Sequence, residues 1–195
     1  MSSVRARGGI LVVVAVACAL AAASAQAATS TLGQLFVPTA LCSGPYTYLQ
    51  TGVGSGASYT VPAPGVITSW SFQDGGTTVT GLKLKVGRAA GGANYTITAE
   101  AAAGVQSPSS VNRDTASIPV QAGDLIGIAQ DGGGCGSITG DASDTFVANA
   151  SDVPPNTTLT FTPAAMIKLP VSVQETLRPQ VEERSPQDNP RCRGS

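Results

Sequence analysis

The chain has 195 residues, only 12% of them charged and 5% aromatic, with a net charge of −1. Such a weak charge excludes the basic footprint that nucleic acid or an anionic membrane surface would require. Histidine is absent, which removes the usual general base of serine and cysteine hydrolases and the commonest zinc ligand.

The N-terminus reads as an export signal. Arg5 and Arg7 precede an apolar run from Ile10 to Ala23, and Ala25-Gln26-Ala27 supplies the small-x-small pattern of a cleavage site. A membrane anchor would need roughly 20 apolar residues, and this run is shorter. Lipid attachment at Cys18 is the alternative, but Ala15-Val16-Ala17 makes a poor lipobox and apolar residues follow it. Residues 1–27 are therefore expected to leave, with cleavage before Ala28 and a secreted, extracellular product. No integral membrane segment is expected after cleavage. Removing Arg5 and Arg7 leaves nine basic residues against 12 acidic ones, a charge of −3.

Residues 28–173 are expected to form one domain. Thr/Gly-rich residues 28–44 lead into period-two patterning. Val66, Thr68, Trp70 and Phe72 fall on one face of a strand. Leu82, Leu84 and Val86 oppose Lys83 and Lys85, and Tyr95, Ile97 and Ala99 alternate with polar neighbours. Near the end, Ile167, Leu169, Val171 and Val173 alternate again. Pro170 places that last strand at an edge. Further strands are predicted at 45–51, 58–61, 115–120, 124–130, 145–149 and 157–162. Turns are predicted at Pro62–Gly65, Asp74–Gly76, Gly91-Gly92, Gln121–Asp124, Asp131–Gly134 and Pro154–Asn156. This spacing predicts an all-β, jelly-roll-like antiparallel β-sandwich. Only Ala99–Ala103 and Gln174–Glu183 read as weakly helical. Residues 174–195 carry eight charges and three prolines, which predicts a disordered tail.

Export favours a disulfide among Cys42, Cys135 and Cys192. Cys192 lies in the charged tail, so Cys42–Cys135 is the expected pair. It would close a loop of about 90 residues, worth on the order of 4 kcal/mol.

Two segments are more distinctive. Residues 58–72, SYTVPAPGVITSWSF, and residues 118–128, IPVQAGDLIGI, resemble recurring segments of secreted proteins of unknown function from high-GC actinobacteria. Leu82–Arg88 resembles the strand between them. The resemblance spans about residues 35–173 and implies an extracellular β-sandwich, with Cys42 and Cys135 where such proteins often carry a cysteine pair. It supplies no reaction or ligand. Gln187-Asp188 and Cys192 look like the remnant of a family tail whose Asp-rich, calcium-binding-like repeat is missing here.

The chemistry-bearing residues are few. Trp70 shares its face with Val66 and Phe72 and reads as core. Asp131, Asp141 and Asp144 are the only weak candidates for a metal site, and their spacing fits no EF-hand loop. Asp124 reads as a turn former. Glu100 is the domain's one glutamate and could serve a glycosidase only with an aspartate brought to it by folding. Gly54-Ser55-Gly56 lacks the nucleophile-elbow spacing and reads as a loop. Asn94, Asn149 and Asn156 head incidental glycosylation triplets. Lys83, Lys85 and Arg88 are expected to form an exposed stripe that protects an edge. No cofactor and no catalytic residue is expected. The predicted function is a non-catalytic extracellular module that binds a cell-surface, polysaccharide or protein partner. A carboxylate-dependent glycan-active enzyme and a self-associating matrix protein are the alternatives. N-terminal sequencing of the exported protein should begin at Ala28; an intact Met1, or lipid on Cys18, would contradict the export reading.

Overall fold

β-branched residues and alternating patterns dominate the domain, and the chain folds accordingly into strands. A computed structural model describes residues 28–76 and 79–177, and no helix occurs among them. The strands are β1 (Thr29–Gly33), β2 (Ala40–Gly52), β3 (Gly65–Gln73), β4 (Lys83–Ala89), β5 (Asn94–Ala102) and β6 (Val111–Val120). They continue with β7 (Leu125–Ile138), β8 (Thr145–Asn149), β9 (Thr157–Thr160), β10 (Thr162–Ala165), β11 (Ile167–Lys168) and β12 (Val171–Leu177). The smaller sheet runs β1-β12-β3-β6. The larger runs β10-β8-β2-β7-β4-β5-β9, with β11 beside β7. Every pairing is antiparallel. The expected antiparallel β-sandwich is the observed fold class.

The larger sheet is curled. β9 and β10 sit at its two ends, yet they are one continuous run separated only by Phe161. A single segment therefore pairs with β5 through its first half and with β8 through its second.

Between the sheets lies the main core. Trp70, Phe72, Ile67, Val171 and Val173 of the smaller sheet meet Leu84, Val86, Ile126 and Ile128 of the larger one. Tyr59 is buried there too, and its hydroxyl donates to the Leu169 carbonyl at 2.5 Å. Trp70 is a core residue, as its strand pattern predicts.

Bulges explain where simple alternation fails. The register with β6 shifts between Ile67 and Ser69. Ile67 thereby joins Trp70 inside, while Thr68, expected inside, is exposed. A second shift, opposite Val86 and Gly87, splits Ile97 from Ala99. Ile97 enters a second cluster and Ala99 packs on the main core.

Several expectations require correction. Ala99–Ala103 is not helical, because Ala99, Ala101 and Ala102 pair with β4. Residues 174–177 are strand, paired with β1 and β3, so β12 runs four residues past the expected tail boundary. Asp131–Gly134 continues β7 rather than turning, paired with β2 as far as Ala40–Gly136. Gly133 has φ 113° there, a conformation that favours glycine. Pro170 does not mark an edge: it falls between β11 and β12, and its carbonyl accepts from the Gln73 amide at 3.0 Å. Residues 58–61 make only an isolated bridge, Thr60 with Leu125. The export signal, Cys18, Cys192 and residues 178–195 lie outside the described residues.

Glu175 is anomalous. It is fully buried, and neither carboxylate oxygen has a hydrogen-bond partner. Burial pushes its carboxyl above the usual range. Over the window between its ordinary and its raised value, the folded chain keeps a proton that the unfolded chain has released. Stability therefore falls as pH rises through that window. Glu175→Met should raise stability at neutral pH by about 1–3 kcal/mol, with the gap to wild type narrowing on acidification. Thermal melts across a pH series check this.

Candidate functional site

The outer face of the larger sheet is not open to solvent. Residues 150–156 cross it as a strap. Thr47, fully buried on β2, holds the strap: its hydroxyl donates to the Ser151 carbonyl at 2.8 Å and accepts from the Val153 amide at 2.9 Å. The Asn156 amide reaches the Ile97 carbonyl at 2.7 Å. Beneath the strap lies the second apolar cluster, formed by Leu49, Ile97, Leu125, Val147, Val153 and Phe161. Gly87 lets Leu49 approach closely there: a Cβ would fall 2.3 Å from Leu49 Cδ1, and the leucine would have to shift.

This cover overturns the expected exposed lysine stripe. Leu82, Leu84 and Val86 face the core as predicted, but Lys85 is fully buried. Its ammonium donates to the Val153 carbonyl at 2.8 Å and to Glu100 Oε2, which lies directly across the β4–β5 register. Asp152 Oδ1 stands 2.6 Å from the same nitrogen. Lys83 donates to Asp152 Oδ2 and lies 3.8 Å from Glu100 Oε1. Burial tends to raise the Asp152 carboxyl, but hydrogen bonds from Lys83 and Lys85 and the two lysine charges outweigh it and hold it below the usual range. Arg88 is separate and makes a bidentate pair with buried Asp124 at 2.7 and 2.9 Å. Asp124 also accepts from the Gln121 amide at 2.8 Å, the turn role expected of it.

A groove of about 490 Å³ opens where β2, β8, β10 and β11 meet, lined by Leu41, Tyr46, Tyr48, Phe146, Ala148, Ala150, Thr162, Ala164 and Ile167. Tyr46 and Tyr48 stack with ring centroids 5.6 Å apart, and Phe146 tilts against Tyr48 at 6.0 Å. Burial, reinforced by the neighbouring Tyr46, pushes the Tyr48 phenol up to about 12. Leu41 is 75% exposed at the groove. Ile138, paired with the groove residue Ile167, and Met166, next to it in the chain, are exposed as well. A second concavity of about 440 Å³ lies at Pro64, Arg88 and Pro119–Ala122. Its one charged residue is Arg88, already committed to Asp124.

Of the metal candidates, Asp141 and Asp144 both lie against Gly54, while Asp131 lies apart from them. Asp131 is exposed, and its side chain lies against Gly81. Asp141 closes its own turn, accepting from the Ser143 amide at 2.8 Å. Asp144 is buried, accepts from the Gly54 amide at 3.0 Å and faces Lys168 Nζ at 3.5 Å. Among the described residues, no group of three or more His, Cys, Asp or Glu side chains is placed to hold a metal ion. Ser55, in the expected loop, offers its carbonyl to Gln34 and Lys168. The backbone register sets Cys42 opposite Gly133 and Leu41 opposite Gly134, so the two cysteine positions lie on neighbouring strands. The cysteine side chains themselves lie outside what is described.

Sequence reasoning missed Asp152 and the Tyr46–Tyr48–Phe146 floor. Alternation at Tyr46 and Tyr48 was a usable signal for the aromatic pair. Asp152 carried none, since only the strap's path brings it to Lys85. No protein-family model, curated protein or solved structure matches the chain.

The Asp144 cluster has a signed consequence. Burial tends to raise its carboxyl, but hydrogen bonds from Thr139 and Gly54 and the charge of Lys168 hold it below the usual range. A depressed folded value contributes stability above the unfolded value, and that stability is lost as pH falls through the folded one. Asp144→Asn should therefore lower the melting temperature at pH 7, and the difference from wild type should shrink in acid. Melting curves at neutral and acid pH check the sign.

Proposed function

We propose that the protein is a secreted, non-catalytic binding module, and that the groove over Tyr46, Tyr48 and Phe146 takes an apolar segment of a protein partner. The groove's composition carries this reading. Aromatic rings floor it, aliphatic and alanine side chains wall it, and exposed Leu41, Ile138 and Met166 extend the apolar surface beyond it. Buried aromatic anchors in an apolar setting are the usual energetic centre of a protein interface. Sugar recognition would need more convergent hydrogen-bonding side chains than the two tyrosine hydroxyls and Thr162 supply. The charged apolar-run N-terminus supports export. The neighbouring strand positions of Cys42 and Cys135 support the bridge that an exported chain would carry. The non-catalytic reading is supported by the lack of histidine. It is also supported by Glu100 and Asp152, which are paired with lysines and line neither concavity.

Selection from a displayed peptide library against the purified protein tests this. Enriched peptides should carry aromatic or aliphatic anchors, and their binding should weaken at least about tenfold, a loss of about 1.4 kcal/mol, in Tyr46→Ala. Three outcomes would overturn it: glycan-array binding that depends on Tyr46, peptide binding indifferent to Tyr46→Ala, or dimerisation in sedimentation that the same substitution abolishes.

A further inference from the structure

The charge cluster under the strap does more than a structural ion pair requires. Lys85 is fully buried on β4, and its Nζ has carboxylates on two sides. Toward Glu100 the contact is a hydrogen bond. Toward Asp152, Nζ stands 2.6 Å from the buried Oδ1. Amine and carboxyl group are thus held in contact inside the fold, with a second carboxylate on the same nitrogen to move protons. Lys83 grips the other oxygen, Oδ2.

We propose that Lys85 and Asp152 condense to an intramolecular isopeptide bond, with Glu100 carrying the protons and Lys83 stabilising the oxyanion. Glu100 Oε2 takes a proton from the Lys85 ammonium and passes it to Asp152 Oδ1, so that a free amine faces a neutral carboxyl group. The freed amine pair attacks Asp152 Cγ, forming the C–N bond, and negative charge on Oδ2 is met by Lys83. Glu100 then accepts a second proton from the nitrogen and delivers it to Oδ1. The Cγ–Oδ1 bond then breaks and one water leaves. One ammonium and one carboxylate become an amide and water, and Glu100 ends as it began. No oxidant, reductant or co-reactant is needed.

The arrangement also accounts for the second lysine. When Lys85 and Asp152 lose their charges, Lys83 remains 3.8 Å from Glu100 Oε1, so neither survivor is left unpaired. A fully buried ammonium is costly to maintain, and condensation removes it together with its partner's charge. The product would tie the strap covalently to β4 and keep the second apolar cluster covered.

Intact mass spectrometry of the purified protein, reduced and alkylated, reads the reaction directly. Peptide mapping first fixes the N-terminus actually present. The wild-type protein should be lighter than its sequence by one water, and digestion should yield one branched peptide joining the segments that carry Lys85 and Asp152. Glu100→Gln should retain the full mass or lose water far more slowly. Lys85→Met should retain it entirely. Full mass in freshly purified wild-type protein that persists on prolonged incubation would overturn the proposal. A water loss that survives in Lys85→Met would do so too, because it would place the modification elsewhere. Both readings of wild-type mass stand even if a variant fails to fold.

Discussion

The Thr47 hydroxyl holds the segment on which the rest of the larger sheet depends. It sits mid-strand on a face that four neighbouring strands extend, and it both donates to Ser151 and accepts from Val153. Without it, the buried Val153 amide would lose its partner, at about 1–3 kcal/mol, and the half-buried Ser151 carbonyl would lose its own. Once the strap is anchored there, Val153 and Phe161 seal the second apolar cluster. Lys85 is then shut away from solvent, and residues 157–165 are delivered to both β5 and β8.

The other end of β2 is organised by a second polar side chain. Gln50 is fully buried, and its amide nitrogen lies 3.0 Å from the carbonyls of Gly52, Thr145 and Ile167. Its carbonyl accepts from the Leu169 amide at 3.0 Å. β2, β8 and the β11–β12 crossover are therefore joined at one residue. The aromatic groove opens beside this junction and is continuous with the main core through Tyr48 and Phe146. The groove thus has a rigid floor, and its exposed walls belong to β10 and the start of β2. A fixed floor lowers the ordering cost of binding.

The sequence made much of this fold legible, and for physical reasons. Alternation finds the face of β4 that packs inside, and β8 falls on the expected residues. Leu169, Val171 and Val173 are core as their pattern predicts. What stayed hidden depends on long-range geometry. A bulge moves Ile67 inward and Thr68 outward without any composition signal. β1 lies in a Thr/Gly-rich stretch that gains its strand only by pairing with β12. Lys83 and Lys85 read as a solvated face because local pattern cannot see a strap contributed from nearly 70 residues away. The same blindness hid the charge cluster: Glu100 meets Lys85 through register, but Asp152 arrives only through the strap.

The bend at Phe161 also bears on polymerisation. Strand-by-strand growth needs a long, regular terminus that an incoming backbone can follow. Both ends of the larger sheet are instead halves of one segment that turns at Phe161, and Pro163 lacks an amide in its second half. The smaller sheet ends in β1, only five residues long, and in β6, where Pro119 removes an amide next to the strand's last residue. Growth from either end of the larger sheet is therefore hindered, and among the described strands the longest free edge is β6 of the smaller sheet.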